Sequence, residues 1–97
     1  MRLMLKFSIP VEFGNAAIRD GKMGRIIEEA VAQVNAEAAY FTLLDGERGG
    51  LIFFEEDDQA KLPGINEKLF LELGADIEIT PVLTLEDLKR GLPGRAS

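Results

Sequence analysis

The chain has 97 residues, 46% of them hydrophobic, which suits one domain able to bury a core without crosslinks. It has no cysteine and no histidine, which excludes disulfides, thiolate nucleophiles, Cys/His metal sites and the usual imidazole general base. With 17 acidic residues against 11 basic, the net charge is −6, a surface that repels phosphate backbones and anionic membranes.

No lysine or arginine cluster interrupts that charge, so nucleic acid is not an expected partner. No apolar run reaches transmembrane length, and the N-terminus lacks the apolar core and cleavage site of a signal peptide. The expectation is a cytoplasmic protein without a membrane partner, metal or cofactor. Any proton chemistry would fall to carboxylates, lysines or Tyr40, the one tyrosine.

Leu3 to Phe13 alternates. Leu3, Leu5, Phe7 and Ile9 share one face and Met4, Lys6 and Ser8 the other, predicting a first strand. Pro10, lacking an N–H, sets its later part at an edge or bend. Residues 14–24 are less regular. Asn15 suits the cap of a short helical turn and Gly21 its left-handed end, with Gly24 also turning the chain. A longer helix starts near Met23, with Met23, Ile27, Ala30, Val31 and Val34 as its core stripe and an Arg25–Glu29 pair outside. Asn35 terminates it.

Residues 39–55 read as a β-hairpin: two runs of aromatic and branched residues around a polar, glycine-containing turn that holds Arg48. The acids Glu55 to Asp58 follow. They lack the glycines and spacing of a calcium loop, and suit the start of a second helix from near Gln59 to Leu73. Pro63 falls in its first turns, Leu62, Ile65, Leu69, Phe70 and Leu73 form its apolar stripe, and Leu71 points outward. Gly74 closes it. Ala75 to Leu83 supplies a last strand with Ile77 and Ile79 inward and Asp76, Glu78 and Thr80 on the other face. Thr84 caps a short segment to Arg90, and residues 91–97 read as a frayed tail.

This order predicts a single α+β domain with its core over about residues 2–90. Its fold is the ferredoxin-like βαββαβ arrangement: a four-stranded antiparallel sheet, two helices on one face and a short C-terminal helix. A three-layer fold needs a longer chain. The hairpin strands are apolar on both sides, Leu51 and Phe53 on one and Ile52 and Phe54 on the other, so the sheet face left bare predicts self-association as a homodimer or higher oligomer.

The segment from Gly14 through Asn15, Arg19 and Asp20 to Gly21, followed by Glu37-Ala38-Ala39-Tyr40-Phe41 and later by Thr80-Pro81-Val82, resembles a family of small bacterial proteins of unknown function. The resemblance spans the chain to about Leu88 and implies a ferredoxin-like fold of the dimeric α+β barrel type. The broader barrel group it points to includes cofactor-independent monooxygenases and small isomerases.

Three groupings are candidate ligand sites. Asn15, Arg19 and Asp20 can converge on a polar ligand, where the plainer role for Asn15 is capping. Tyr40, Lys6, Glu78 and Thr80 share the bare sheet face and can enclose a small acid or phenol-like compound, where the plainer role is a cross-strand ion pair beside an interface tyrosine. Arg48 can bind an anion from the hairpin turn or reach across a dimer. The resulting expectation is a homodimeric small-molecule-binding or interaction module, with a cofactor-independent isomerase or monooxygenase as the alternative.

Overall fold

A computed structural model describes residues 1–93. The strands are β1 (Arg2–Ile9), β2 (Ala38–Leu44), β3 (Glu47–Glu55) and β4 (Asp76–Pro81); the helices are α1 (Val11–Arg19), α2 (Met23–Gln33), α3 (Leu62–Leu73) and α4 (Leu85–Gly91). One antiparallel sheet runs in the order β2-β3-β1-β4. The fold is α+β, as the alternating and 3.6-residue patterns predict. Among the described residues, no helix is long and apolar enough to cross a membrane.

β1 is the sheet's clearest two-faced strand. Leu3, Leu5, Phe7 and Ile9 are buried, whereas Met4, Lys6 and Ser8 between them are only half-buried. The buried four join Ile52 and Phe54 of β3, Ile26 and Ala30 of α2 and Ile65, Leu69 and Leu73 of α3 in one core cluster. Close packing of such residues, each of the larger side chains stabilising by about 1.5–3 kcal/mol on burial, is what holds sheet and helices together.

The first strand stops earlier than its alternation predicts. Pro10 is extended (φ −53°, ψ 140°) and sits at the N-cap of α1, where its carbonyl accepts from the Gly14 N–H at 3.0 Å. A proline there loses no helical bond, so Val11 and Phe13 enter a helix instead of a strand. Asn15 is consequently inside α1 and not at its cap, and among the described residues no side chain caps this helix. Gly21 (φ +70°) does follow the helix end, but Gly24 lies within α2.

In α2, Ile26 and Ala30 are the buried residues, while Met23, Ile27, Val31 and Val34 are half-buried around the core. The row Met23–Ile27–Val31, spaced by four, flanks the core beside Ile26 and Ala30. Asn35 ends the helix with φ +52°, and the Arg25–Glu29 pair forms at 3.2 Å.

The hairpin turn is just Asp45-Gly46, both at positive φ (52° and 84°). This is the Asp-Gly pattern that two-residue hairpins select, because its twist matches the strands. Arg48, Gly49 and Gly50 therefore belong to β3. In α3, Ile65, Leu69 and Leu73 are buried, but Phe70 is 43% exposed and leaves the predicted stripe; Leu71, at 81%, points outward as expected. Thr84 and Asp87 form a full capping box on α4. The predicted tail lies mostly beyond residue 93, outside the described residues.

Candidate functional site

Gly50 shapes the centre of β3. A β-carbon there would lie 2.7 Å from the Tyr40 carbonyl oxygen and 2.8 Å from the Phe41 ring. Its absence lets the rings of Phe7 and Phe41 approach edge-on, centroids 6.5 Å apart. Tandem glycines inside a strand mark this kind of close approach.

Beyond these rings the sheet and α2 diverge. Between them opens a cleft of about 1050 Å³, walled by Met23, Ile27 and Val31 on α2 and by Phe7, Phe41 and Leu43 on the sheet. Ligand pockets run to roughly 300–1,000 Å³ and are mostly apolar with few polar groups. Phe41 and Leu43 are 55% and 69% exposed: α2 faces them without covering them.

Arg48 lines the same cleft. It is half-buried, pairing across the sheet with Ile9 and Leu43. Its Nη2 donates to Asn15 Oδ1 at 3.1 Å. A β-carbon on Gly14 would come within 2.6 Å of Nη1, so the bare α-carbon of Gly14 is the surface on which the guanidinium rests. Helix α1 thus holds Arg48 by a missing side chain and a neutral amide. Among the described residues Arg48 makes no ion pair. With five N–H donors on the guanidinium, most of its capacity is left for something else. Glu28, exposed, also borders the cleft from α2.

The other candidates separate. Asp20 caps the end of α1, exposed, 3.8 Å from Lys22, and Arg19 is exposed as well. Of the first grouping, Asn15 alone reaches the cleft's arginine. Lys6 and Glu78 are opposite one another on β1 and β4, their charged ends 3.8 Å apart and well solvated. This is the cross-strand pair the sequence indicates. Tyr40 shares their face but stands on β2, two strands from β1. It is 63% exposed and packs edge-on against Phe53 at 6.4 Å. Thr80 lies opposite Met4 on the far edge strand. The four do not enclose a site.

The acidic run acts locally. Glu55 and Asp57 hold the N-terminal ammonium at 3.2 and 3.0 Å, raising its pKa above the ordinary value, with the Asp57 hydrogen bond the larger cause. Asp58 caps the 3-10 turn Gln59–Lys61 through the Ala60 N–H. No group of acids suited to a metal ion occurs among the described residues.

Composition and periodicity missed the cleft itself. Its walls come from separate parts of the chain, and its one visible signal was the Gly49-Gly50 pair beside Arg48, which resembles a turn.

No family model matches the chain, and no curated protein matches it in sequence. Among solved structures, it is similar to a formyltetrahydrofolate deformylase from Pseudomonas putida KT2440. The TM-score is 0.54 at 12% identity, covering 84% of this chain and 29% of that one. A de novo designed protein, Ferredog-Diesel, superposes with a TM-score of 0.49 at 10% identity, over 84% of this chain and 85% of the design. The chain spans less than a third of the deformylase, and the likeness is one of fold alone.

Proposed function

We propose that this is a ferredoxin-like, homodimeric binding module whose ligand is a small amphipathic carboxylate, its apolar body in the cleft and its head group on Arg48. One observation carries the reading: a half-buried guanidinium, without an ion-pair partner among the described residues, lines a largely apolar cleft that Glu28 also borders. A carboxylate matches the guanidinium fork in charge and geometry. The apolar walls supply affinity and the single cation supplies orientation. The overall charge of −6 weakens any long-range pull on anions, so selectivity rests on this local contact.

Binding is favoured over catalysis. Tyr40 lies on the opposite sheet face from Phe41 and the cleft, and the chain has no histidine or cysteine to place there. The test is a thermal-shift panel of matched pairs, such as octanoate with octanamide and hydrocinnamate with its amide. A ligand selective for the folded state raises the melting temperature by mass action. The carboxylate of each pair should raise it more than the amide. Equal shifts, or none, reject the reading.

A further inference from the structure

The two edges of the sheet are built differently. β4 carries Asp76 and Glu78 and ends in Pro81, the usual means of keeping a strand edge from pairing with another chain. β2, Ala-Ala-Tyr-Phe-Thr-Leu-Leu, has no charge and no proline, and its register against β3 runs unbroken from Ala38 to Leu44. It is the one strand of the four without a charged residue. Both of its sides are apolar and exposed: Tyr40 at 63% on one, Phe41 at 55% and Leu43 at 69% on the other. Such an edge left open in a folded protein is a pairing surface.

We infer that β2 pairs antiparallel with β2 of a second copy about a two-fold axis near Phe41, forming a continuous eight-stranded sheet in which each copy closes the other's cleft. The outward backbone supports the register. The Tyr40 carbonyl oxygen lies on the β3 side, beside Gly50. N–H and C=O groups alternate in direction along an antiparallel strand, so Ala39, Phe41 and Leu43 direct theirs outward. Phe41 is the middle residue of β2, and pairing centred there is self-complementary, as a two-fold contact demands.

A second copy fits better than a foreign strand. Although two chains of charge −6 repel, β2 is uncharged, so along this edge two copies can meet without like charges facing one another. The contact also closes: with β2 consumed and β4 guarded, the pair does not grow into a fibre. The uncovered sheet face is a poorer choice, because Lys6, Ser8, Glu78 and Asp76 interrupt its apolar residues Met4, Leu51 and Phe53.

A two-fold axis perpendicular to the sheet leaves both helical layers on the same side. The cleft of one copy, open past Phe41 and Leu43, then meets the partner's Phe41 and Leu43 across the new strand pair. Closure of the cleft rests on the ligand reading above; the strand pairing does not.

Sedimentation without ligand, with hydrogen exchange on the same samples, tests the pairing. The wild type should be dimeric at micromolar concentration, and the Ala39, Phe41 and Leu43 amides should lose protection on dilution. Leu43→Lys, on the helix side of the edge, should weaken the dimer by about tenfold or more, equivalent to about 1.4 kcal/mol, while circular dichroism stays native. Met4→Lys, centred on the uncovered face, should leave the dimer intact. A wild type monomeric throughout, a Leu43→Lys protein as dimeric as wild type, or dissociation by Met4→Lys alone overturns the proposal. A dimer that binds no carboxylate sinks the ligand reading and leaves the pairing standing.

Discussion

The guanidinium of Arg48 rests on the α-carbon of Gly14, so closely that a β-carbon would stand 2.6 Å from Nη1. A glycine inside a helix costs roughly 0.5–1 kcal/mol relative to alanine. Here it leaves room for a cation, and the atom it accommodates is the far end of a flexible side chain.

Gly14→Ala therefore separates stability from binding. The arginine can swing aside, so the melting temperature should hold or rise by a few degrees as helix propensity improves. The guanidinium loses its seat and the Asn15 bond, so carboxylate affinity should fall about tenfold. Calorimetry on both proteins checks this pair of outcomes. A lower melting temperature with unchanged affinity would show that Gly14 serves packing alone.

Asn15→Asp tests the neutral partner. A carboxylate at that position would pair with Arg48 and occupy the charge reserved for ligand. The variant should fold normally and bind carboxylates at least as weakly as amides of the same body. Retained carboxylate preference in a titration would count against the assignment.

At Gly50 the obstacles are the backbone oxygen of Tyr40 and the Phe41 ring, which cannot both yield. Gly50→Val should destabilise by about 1–3 kcal/mol, the usual cost of overpacking. Chemical denaturation measures it. In the core, Leu69→Ala, at a fully buried position, should cost about 2–5 kcal/mol.

Acid should weaken the fold through named pairs. The Lys68 hydrogen bond, with Arg25 second, holds Glu29 below the ordinary carboxylate pKa; Arg2 does so for Glu37, and the Thr84 backbone N–H leads for Asp87. A lowered folded pKa contributes stability above the unfolded value that is lost as pH falls through the folded one. Melting temperature should decline below the ordinary carboxylate range, and Glu37→Gln should make that decline shallower. An unchanged slope would remove the Arg2–Glu37 pair from the account.

The sequence was most legible where a residue acts on its neighbours. A polar, glycine-containing stretch announced the hairpin, Thr84 the cap of the last helix, and alternation in β1 its buried face. Adjacent strands also brought Lys6 to Glu78. Long-range features were harder to read. Glu47-Arg48-Gly49-Gly50 looks like a turn because glycine and charge usually bend chains. Here the glycines admit rings, and that role depends on Phe7, more than forty positions away. In α2, periodicity found the row Met23–Ile27–Val31 but could not tell a covered stripe from a cleft wall. Tyr40 shared a face with Lys6 and Glu78 without sharing a neighbourhood.

The account turns on Arg48 reading a carboxylate, and one measurement addresses that directly. The dissociation constants of octanoate and octanamide are compared by titration on the wild type and on Arg48→Gln. A charged hydrogen bond of about 1.5–3 kcal/mol predicts a wild-type preference for the carboxylate of roughly tenfold or more. In Arg48→Gln that preference should vanish while the amide binds as before. A carboxylate preference undiminished by the substitution would contradict the account.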